Sequence, residues 1–308
     1  MTEVAQPSAS VRVVRVGPVD FEVEFRTGPS PRTAPVLVVR APAESPRIMA
    51  QQAEAVVSWA DLVGVRIGGV TAPGVLPAGV GMEDLADGLG EVLDELGLAR
   101  VNVCGGSFAG DLAYRFAVRH PDRLERVVLT GPGGRVGDHL PPGMGPLELA
   151  ERLMEAGRPA TADYIASALL CLDPALPVRG RAVLRRAMLE QLHRSDDAEF
   201  HRWLRCLELQ YTAPPLTGDG PGAPLLAVTG EHDVPAPPAA CRALAARCPQ
   251  GVFATIRESD HFVFLTRPSE HLDLTRRFLL DEPLDDLPYL AELERPYRTA
   301  AVVPAATG

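Results

Sequence analysis

Three residues in this sequence are of the types that serine-based acyl transfer requires: Ser107, Asp233 and His261. A serine hydroxyl is a weak nucleophile until a base takes its proton, and the base works best when a third group fixes its tautomer. Ser107 stands in Gly105-Gly106-Ser107-Phe108-Ala109, directly after the β-branched run Val101–Cys104. Leu112, Phe116 and Ala117 then recur at helical spacing until His120-Pro121 closes the helix. The stretch therefore reads as strand, tight turn and helix with one serine at the apex, a nucleophile elbow. A dinucleotide-binding turn fails, because Ser107 occupies the third position of the pattern it needs, and a phosphate loop fails because the chain has no lysine. The bland alternative is a glycine-rich turn with an incidental serine, since the elbow pattern G-x-S-x-G ends here on Ala109.

The other two residues weigh against the bland reading. Asp233 lies in Thr229-Gly230-Glu231-His232-Asp233, just past the apolar run Pro224–Val228, and His261 lies in the loop Arg257–Phe262 after Val252–Ile256. Parallel sheets place their sites at the carboxyl ends of strands, and both loops leave such ends. A lone histidine is more often packed or on the surface. Three residues of the right type, each on a strand-end loop and in the order Ser, Asp, His, are more specific. Glu231 is the alternative acid.

The elements that must position these groups follow from periodicity. Val11–Val16 and Phe21–Phe25 alternate around Gly17-Pro18, which predicts an edge hairpin. Pro35–Val39 and Leu62–Ile67 are solid apolar runs, read as inner strands. Ser45-Pro46 looks like a cap and first turn of a helix reaching about Trp59, and Met82–Leu96 is an amphipathic helix. Val127–Leu129 is the strand after the elbow helix. Strands alternating with helices imply a mostly parallel sheet covered on both faces. From about Arg135 to Tyr211 only helices are predicted: one around Leu149, Leu153 and Met154, then Tyr164–Leu172, Ala182–Leu192, and a fourth capped by Ser195 and carrying Phe200, Trp203, Leu204 and Leu207. An all-helical insert over residues 136–215, after the sixth strand, suggests a cap over the site. Residues 1–135 and 216–308 then form the core. Pro237–Cys248 and Pro268–Leu280 are its late helices, Val252–Ile256 is read as the last strand, and Asp281–Gly308 is a tail with no assigned structure.

Composition narrows the function classes. A 308-residue chain can bury a large core as one α/β domain or two smaller ones. A net charge of −10 argues against a nucleic-acid partner. All 30 basic residues are arginine, which excludes lysine Schiff-base and Ser-x-x-Lys chemistry. Five cysteines scattered singly at 104, 171, 206, 241 and 248 point to neither zinc nor a disulfide framework, and no metal or cofactor is expected. MTEVAQPSAS has no targeting pattern and no run reaches membrane-spanning length, so a cytoplasmic location with no membrane partner is expected.

With these motifs in place, the chain resembles the α/β-hydrolase superfamily, nearest its serine esterase, thioesterase and prolyl iminopeptidase-like branch. The likeness is carried by Gly105-Gly106-Ser107 with the aromatic and small residues after it, by HPDRLERVVLTGP (120–132), by GEHDVP (230–235) and by SDHFVFLTRP (259–268). It covers about residues 12–135 and 216–280. The resemblance implies the α/β-hydrolase fold, with Ser107 as nucleophile, His261 as base, Asp233 as its orienting acid and the Phe108 N–H in the oxyanion hole. The chain departs from the family at Arg40-Ala41-Pro42, where His-Gly-X is usual, and in Gly68–Gly81, which lacks the Asp-x-x-Gly-x-Gly-x-Ser loop. Proline has no N–H to donate. Either Ala41 or Ala43 donates instead, or the Arg40 guanidinium does, or the site has a single donor. Arg40, Tyr164, Trp203 and Tyr211 are the expected substrate-binding residues. The leading expectation is a serine hydrolase cleaving an ester or thioester of a sizeable apolar acyl group, free or carrier-protein-bound, as in natural-product biosynthesis. The alternative is a lyase, isomerase or cyclase on the same fold in which His261 moves protons, and a binding protein with a vestigial site is a third reading.

Overall fold

The computed structural model describes residues 9–41, 46–133 and 146–296. Its sheet has nine strands in the order β1-β2-β4-β3-β5-β6-β7-β8-β9. β1 (Ala9–Val16) and β2 (Val19–Arg26) form the edge hairpin, with Val16 paired to Val19 across Gly17-Pro18. Gly17 at φ +54° supplies the left-handed backbone that a two-residue hairpin turn requires. Alternation in β2 buries Val19, Phe21 and Val23, whereas β4 (Leu62–Ile67) is apolar on both faces and sits inside. β3 (Val36–Val39), β5 (Val101–Gly106), β6 (Leu124–Thr130), β7 (Leu225–Gly230) and β8 (Gly251–Ile256) run parallel with β4.

Both faces of the sheet are covered. On one, α2 (Met82–Glu95), α3 (Phe108–Arg119) and α8 (Pro238–Ala245) bury Leu85, Leu89, Leu112, Phe116 and Leu244 against Val103, Leu129 and Phe253. On the other, α1 (Pro46–Val57) and α10 (Pro268–Leu279) bury Val56, Leu274 and Phe278 against Val128, Leu226 and Ile256. A short α9 (Val263–Thr266) precedes α10.

Between β6 and β7 the described chain is helical: α4 (Pro146–Ala156), α5 (Arg158–Leu169), α6 (Arg181–Arg194) and α7 (Asp197–Thr212). Ile165, Leu170, Met188 and Leu192 make a small core of their own, against which Trp203 and Phe262 pack. Cys206 and Leu209 of α7 join the main core instead, so the insert is anchored to the sheet domain. Arg115 strengthens that anchor by donating to Pro214 O (2.6 Å) and pairing with Glu83.

Two sequence expectations are corrected. The residue capping α7 is Asp196, whose Oδ1 accepts the Glu199 N–H at 2.7 Å. Ser195 turns its hydroxyl back to Leu192 O and ends α6, because a carboxylate one position later faces the first-turn N–H groups better. Val252–Ile256 is also not the last strand. β9 (Leu290–Glu294), within the tail to which the sequence assigned no structure, pairs antiparallel with β8. Its Glu292 and Glu294 bind Arg242 at 3.0 and 2.9 Å, and Arg242 lies over the Phe253 ring. No helix among the described residues is long and apolar enough to cross a membrane.

Candidate active site

The strand-to-helix turn between β5 and α3 holds Ser107 at φ +52°, ψ −122°, a region non-glycine residues rarely occupy. Such a backbone costs about 1–3 kcal/mol and persists only where its surroundings impose it. Here the Ser107 N–H donates to Thr130 O at 2.8 Å, tying the turn to β6. Gly105 is required by close approach: a Cβ there would lie 2.3 Å from Ala109 O. Residue 109 meets β5 through its carbonyl, while the next glycine, Gly110, approaches Gly105 O.

His261 Nε2 lies 3.0 Å from Ser107 Oγ, and His261 Nδ1 lies 2.9 and 3.1 Å from the two oxygens of Asp233. Both His261 and Asp233 are buried. The carboxylate is fixed in turn: Oδ1 accepts the Ala236 N–H at 2.8 Å, and Oδ2 accepts the Thr229 hydroxyl. Glu231, the alternative acid, instead accepts the Glu258 N–H at 3.0 Å. Burial alone would push the His261 imidazole down, but the charge and hydrogen bond of Asp233, with Asp260 adding to them, leave it raised above the ordinary histidine value. Asp260 accepts N–H bonds from Phe262 (3.2 Å) and Cys171 (3.3 Å), linking the histidine loop to the chain just after α5. Gly131 is the second glycine that the site demands. It sits at φ +58°, and a Cβ there would be 2.9 Å from His261 Cε1.

Ser107 and His261 open onto a cavity of about 380 Å³ whose walls come from the sheet edge, the histidine loop and helices α6 and α7. Of the expected site residues, Ala41, Phe108 and Trp203 line it. The Phe108 N–H opens α3 and so has no acceptor within its helix. Ala43 and Pro42 lie outside the described residues. Arg40 is buried behind the wall and donates to Gln52 Oε1 at 3.0 Å, and Gln52 lines the cavity. Tyr164 packs against the core of the insert, and Tyr211 faces a separate groove beside Val75 and Leu149.

Several wall residues had no sequence signal of their own. Gln191 and Gln210 come from the insert, where helix rotation decides what faces inward. Asp111 stands one turn after Ser107 on α3, an i+4 relation that places it on the Ser107 side of the helix. Burial pushes its carboxyl up to about 6, against the opposing charge of Arg115 and with that of Glu83. Cys104 also lines the cavity, but burial pushes its thiol up to about 12, so it offers no thiolate to compete with Ser107. Among the described residues no cluster of histidine, cysteine and carboxylate side chains could hold a metal ion.

Comparison with known proteins identifies the fold and the family. Over 51 residues, 17% of this chain and 18% of the relative, it is 39% identical to 2-hydroxy-6-oxo-6-phenylhexa-2,4-dienoate hydrolase of Comamonas testosteroni. It is 49% identical over 43 residues to 2-hydroxymuconate semialdehyde hydrolase of Pseudomonas putida, 14% of this chain and 15% of that one. The chain thus matches under a fifth of either relative's length. A solved esterase from Thermogutta terrifontis superposes with a TM-score of 0.70 at 21% identity, covering 90% of this chain and 99% of that one, a likeness of fold. A family model for the alpha/beta hydrolase fold matches residues 39–268, from β3 through the histidine loop, and the chain belongs to that family.

Proposed function

We propose that the protein is a serine hydrolase that cleaves an ester or thioester through an acyl-enzyme on Ser107. The observation that carries this reading is the unbroken series Ser107 Oγ, His261, Asp233, with contacts of 3.0 and 2.9 Å, at the floor of an apolar cavity. In the first step His261 Nε2 takes the Ser107 proton as Oγ attacks the substrate carbonyl. Asp233 holds Nδ1–H in place and offsets the imidazolium charge, and the Phe108 N–H faces the developing oxyanion. The imidazolium then protonates the leaving alcohol or thiol. Water, deprotonated by the same nitrogen, releases the acid and restores Ser107.

Helices α5, α6 and α7 act as the cap. Leu169, Met188, Leu192 and Trp203 supply the wall that an apolar acyl group would meet and that keeps bulk water from the acyl-enzyme. A polyketide-like acyl group on a carrier protein is one substrate of this class. Ala41 is the second oxyanion donor in this reading, because it lines the same cavity as Ser107 while Arg40 donates to Gln52. The test is labelling with a fluorophosphonate followed by intact mass: one adduct per chain is expected, and none in Ser107→Ala. Labelling that survives that substitution removes Ser107 from the role. The curated relatives are named for 2-hydroxy-6-oxo-6-phenylhexa-2,4-dienoate and 2-hydroxymuconate semialdehyde, so these two compounds belong in the same substrate screen as acyl esters and thioesters.

A further inference from the structure

The cavity extends past Ser107 into the layer between the sheet and helices α1 and α10. There its walls are Val38, Cys104 and Val128 from the strands and Val56 and Leu272 from the helices. In this apolar arm two buried polar atoms, His271 Nδ1 and Thr275 Oγ1, have no hydrogen-bond partner among the described residues. They are four residues apart on α10, so they share one face, and both side chains line the cavity. A buried polar atom without a partner is costly, and two of them, in residues that line one cavity from one helix face, mark a place where a ligand atom would recover that cost.

The imidazole is held for such a contact. Its Nε2 pairs with Thr130 Oγ1 at 2.8 Å, and Thr130 O accepts the Ser107 N–H at 2.8 Å, which keeps the pair near the nucleophile. Burial drives His271 down to about 4, so the ring is neutral at physiological pH and does not call for a carboxylate. Thr130 can donate to Nε2 or accept from it, which leaves Nδ1 as donor or acceptor accordingly. A hydroxyl group satisfies either arrangement, because it both donates and accepts, and so does its contact with Thr275.

We propose that His271 and Thr275 form a subsite for a hydroxyl group on the acyl chain of the substrate, seated in the arm beneath α1 and α10. This rests on the acyl-enzyme reading of Ser107. The test compares methyl esters of ω-hydroxyalkanoic acids with methyl alkanoates, both of four to eight carbons, by kcat/KM. At one chain length the hydroxy ester is expected to lead its alkanoate by about tenfold, the worth of one well-made hydrogen bond. Thr275→Val and His271→Phe should return that ratio to near one, and Thr275→Ser should restore it, a rescue that a purely packing role for Thr275 would not produce. Binding of alkanediols and matched alkanols to Ser107→Ala, followed by ligand-observed NMR, reads the subsite without catalysis. Tighter diol binding that is lost in Ser107→Ala/Thr275→Val upholds the subsite even where no ester is turned over, and then only the hydrolytic reading fails. Ester turnover with a flat ratio at every length, and no diol preference, overturns the subsite and leaves the hydrolase reading standing.

Discussion

Alanine at Gly105 and at Gly106 should have opposite consequences, although the two glycines are neighbours. A Cβ at residue 105 would lie 2.3 Å from Ala109 O, 2.6 Å from its carbonyl carbon and 2.9 Å from Gly110 N. Ordinary contact begins near 3.4 Å, so 3.4 − 2.3, or about 1.1 Å, must be opened between β5 and the first turn of α3. All three atoms are backbone, and no side-chain rotation can relieve them. Overpacking of this kind costs about 1–3 kcal/mol. With an unfolding entropy of about 2.1 cal/mol/K per residue, a 308-residue chain should lose roughly 2–5 °C in Tm. The displaced turn carries Ser107, and a misplacement of about 1 Å costs on the order of 100-fold in rate. At Gly106 the nearest atoms are Thr130 Cβ and O at 3.7 Å, which is ordinary contact. There the loss of unfolded-state freedom should leave Tm equal to or slightly above the wild-type value. Calorimetry and the rate of fluorophosphonate labelling read both effects. Wild-type values of both in Gly105→Ala, or equal damage from Gly106→Ala, would refute the close-approach argument.

Other outcomes follow from the same geometry. Ser107→Ala and His261→Ala should each remove nearly all turnover, and the double variant should cost little more, because the groups act as a unit; additive losses would contradict this. His261 is raised above its ordinary value and must be neutral to act as base, so the acid limb of kcat/KM should lie above pH 6.5. Asp233→Asn should move that limb below 6.5, since burial then dominates, and lower kcat by about four powers of ten; an unmoved limb would assign it to another group. His271, depressed to about 4 by burial, takes up its proton in the unfolded chain first. Its contribution to stability is therefore fully present above about pH 6.5 and lost toward pH 4. Asp111, raised to about 6, works in the opposite sense, so the informative quantity is the difference in unfolding free energy between wild type and His271→Phe. That difference should shift against the wild type by up to about 3 kcal/mol between pH 7 and 4, and a constant difference in denaturant titrations would refute it. Trp203→Ala should change chain-length preference among acyl esters, as measured by kcat/KM across a length series; an unchanged profile would remove Trp203 from the acyl wall.

Much of the fold was legible because its signals are local. The elbow announces itself through small residues between an apolar run and a helical one, and strands such as β4 are apolar on both faces because both are buried. The meeting of Ser107 and His261 is a long-range fact, yet parallel topology brings strand-end loops to one edge of the sheet. β9 was not legible. LAELE is short, with two of its five residues acidic, and it becomes a strand because the edge of β8 and the Arg242 guanidinium are there to receive it. Nor could sequence tell which aromatic residues of the insert face the cavity. Trp203 does, while Tyr211, also on α7, faces a different groove, eight positions and so about 12 Å further along the helix and about 80° around it.

The most direct test of the acyl-enzyme is to trap it. The protein is mixed with a slowly hydrolysed acyl ester, quenched in acid within the first turnover, and measured by intact mass and peptide mapping. A gain equal to one acyl group on the peptide containing Ser107, absent from Ser107→Ala, is the expected result. Ester turnover that persists in Ser107→Ala, or an acyl group found on any other residue, would contradict it.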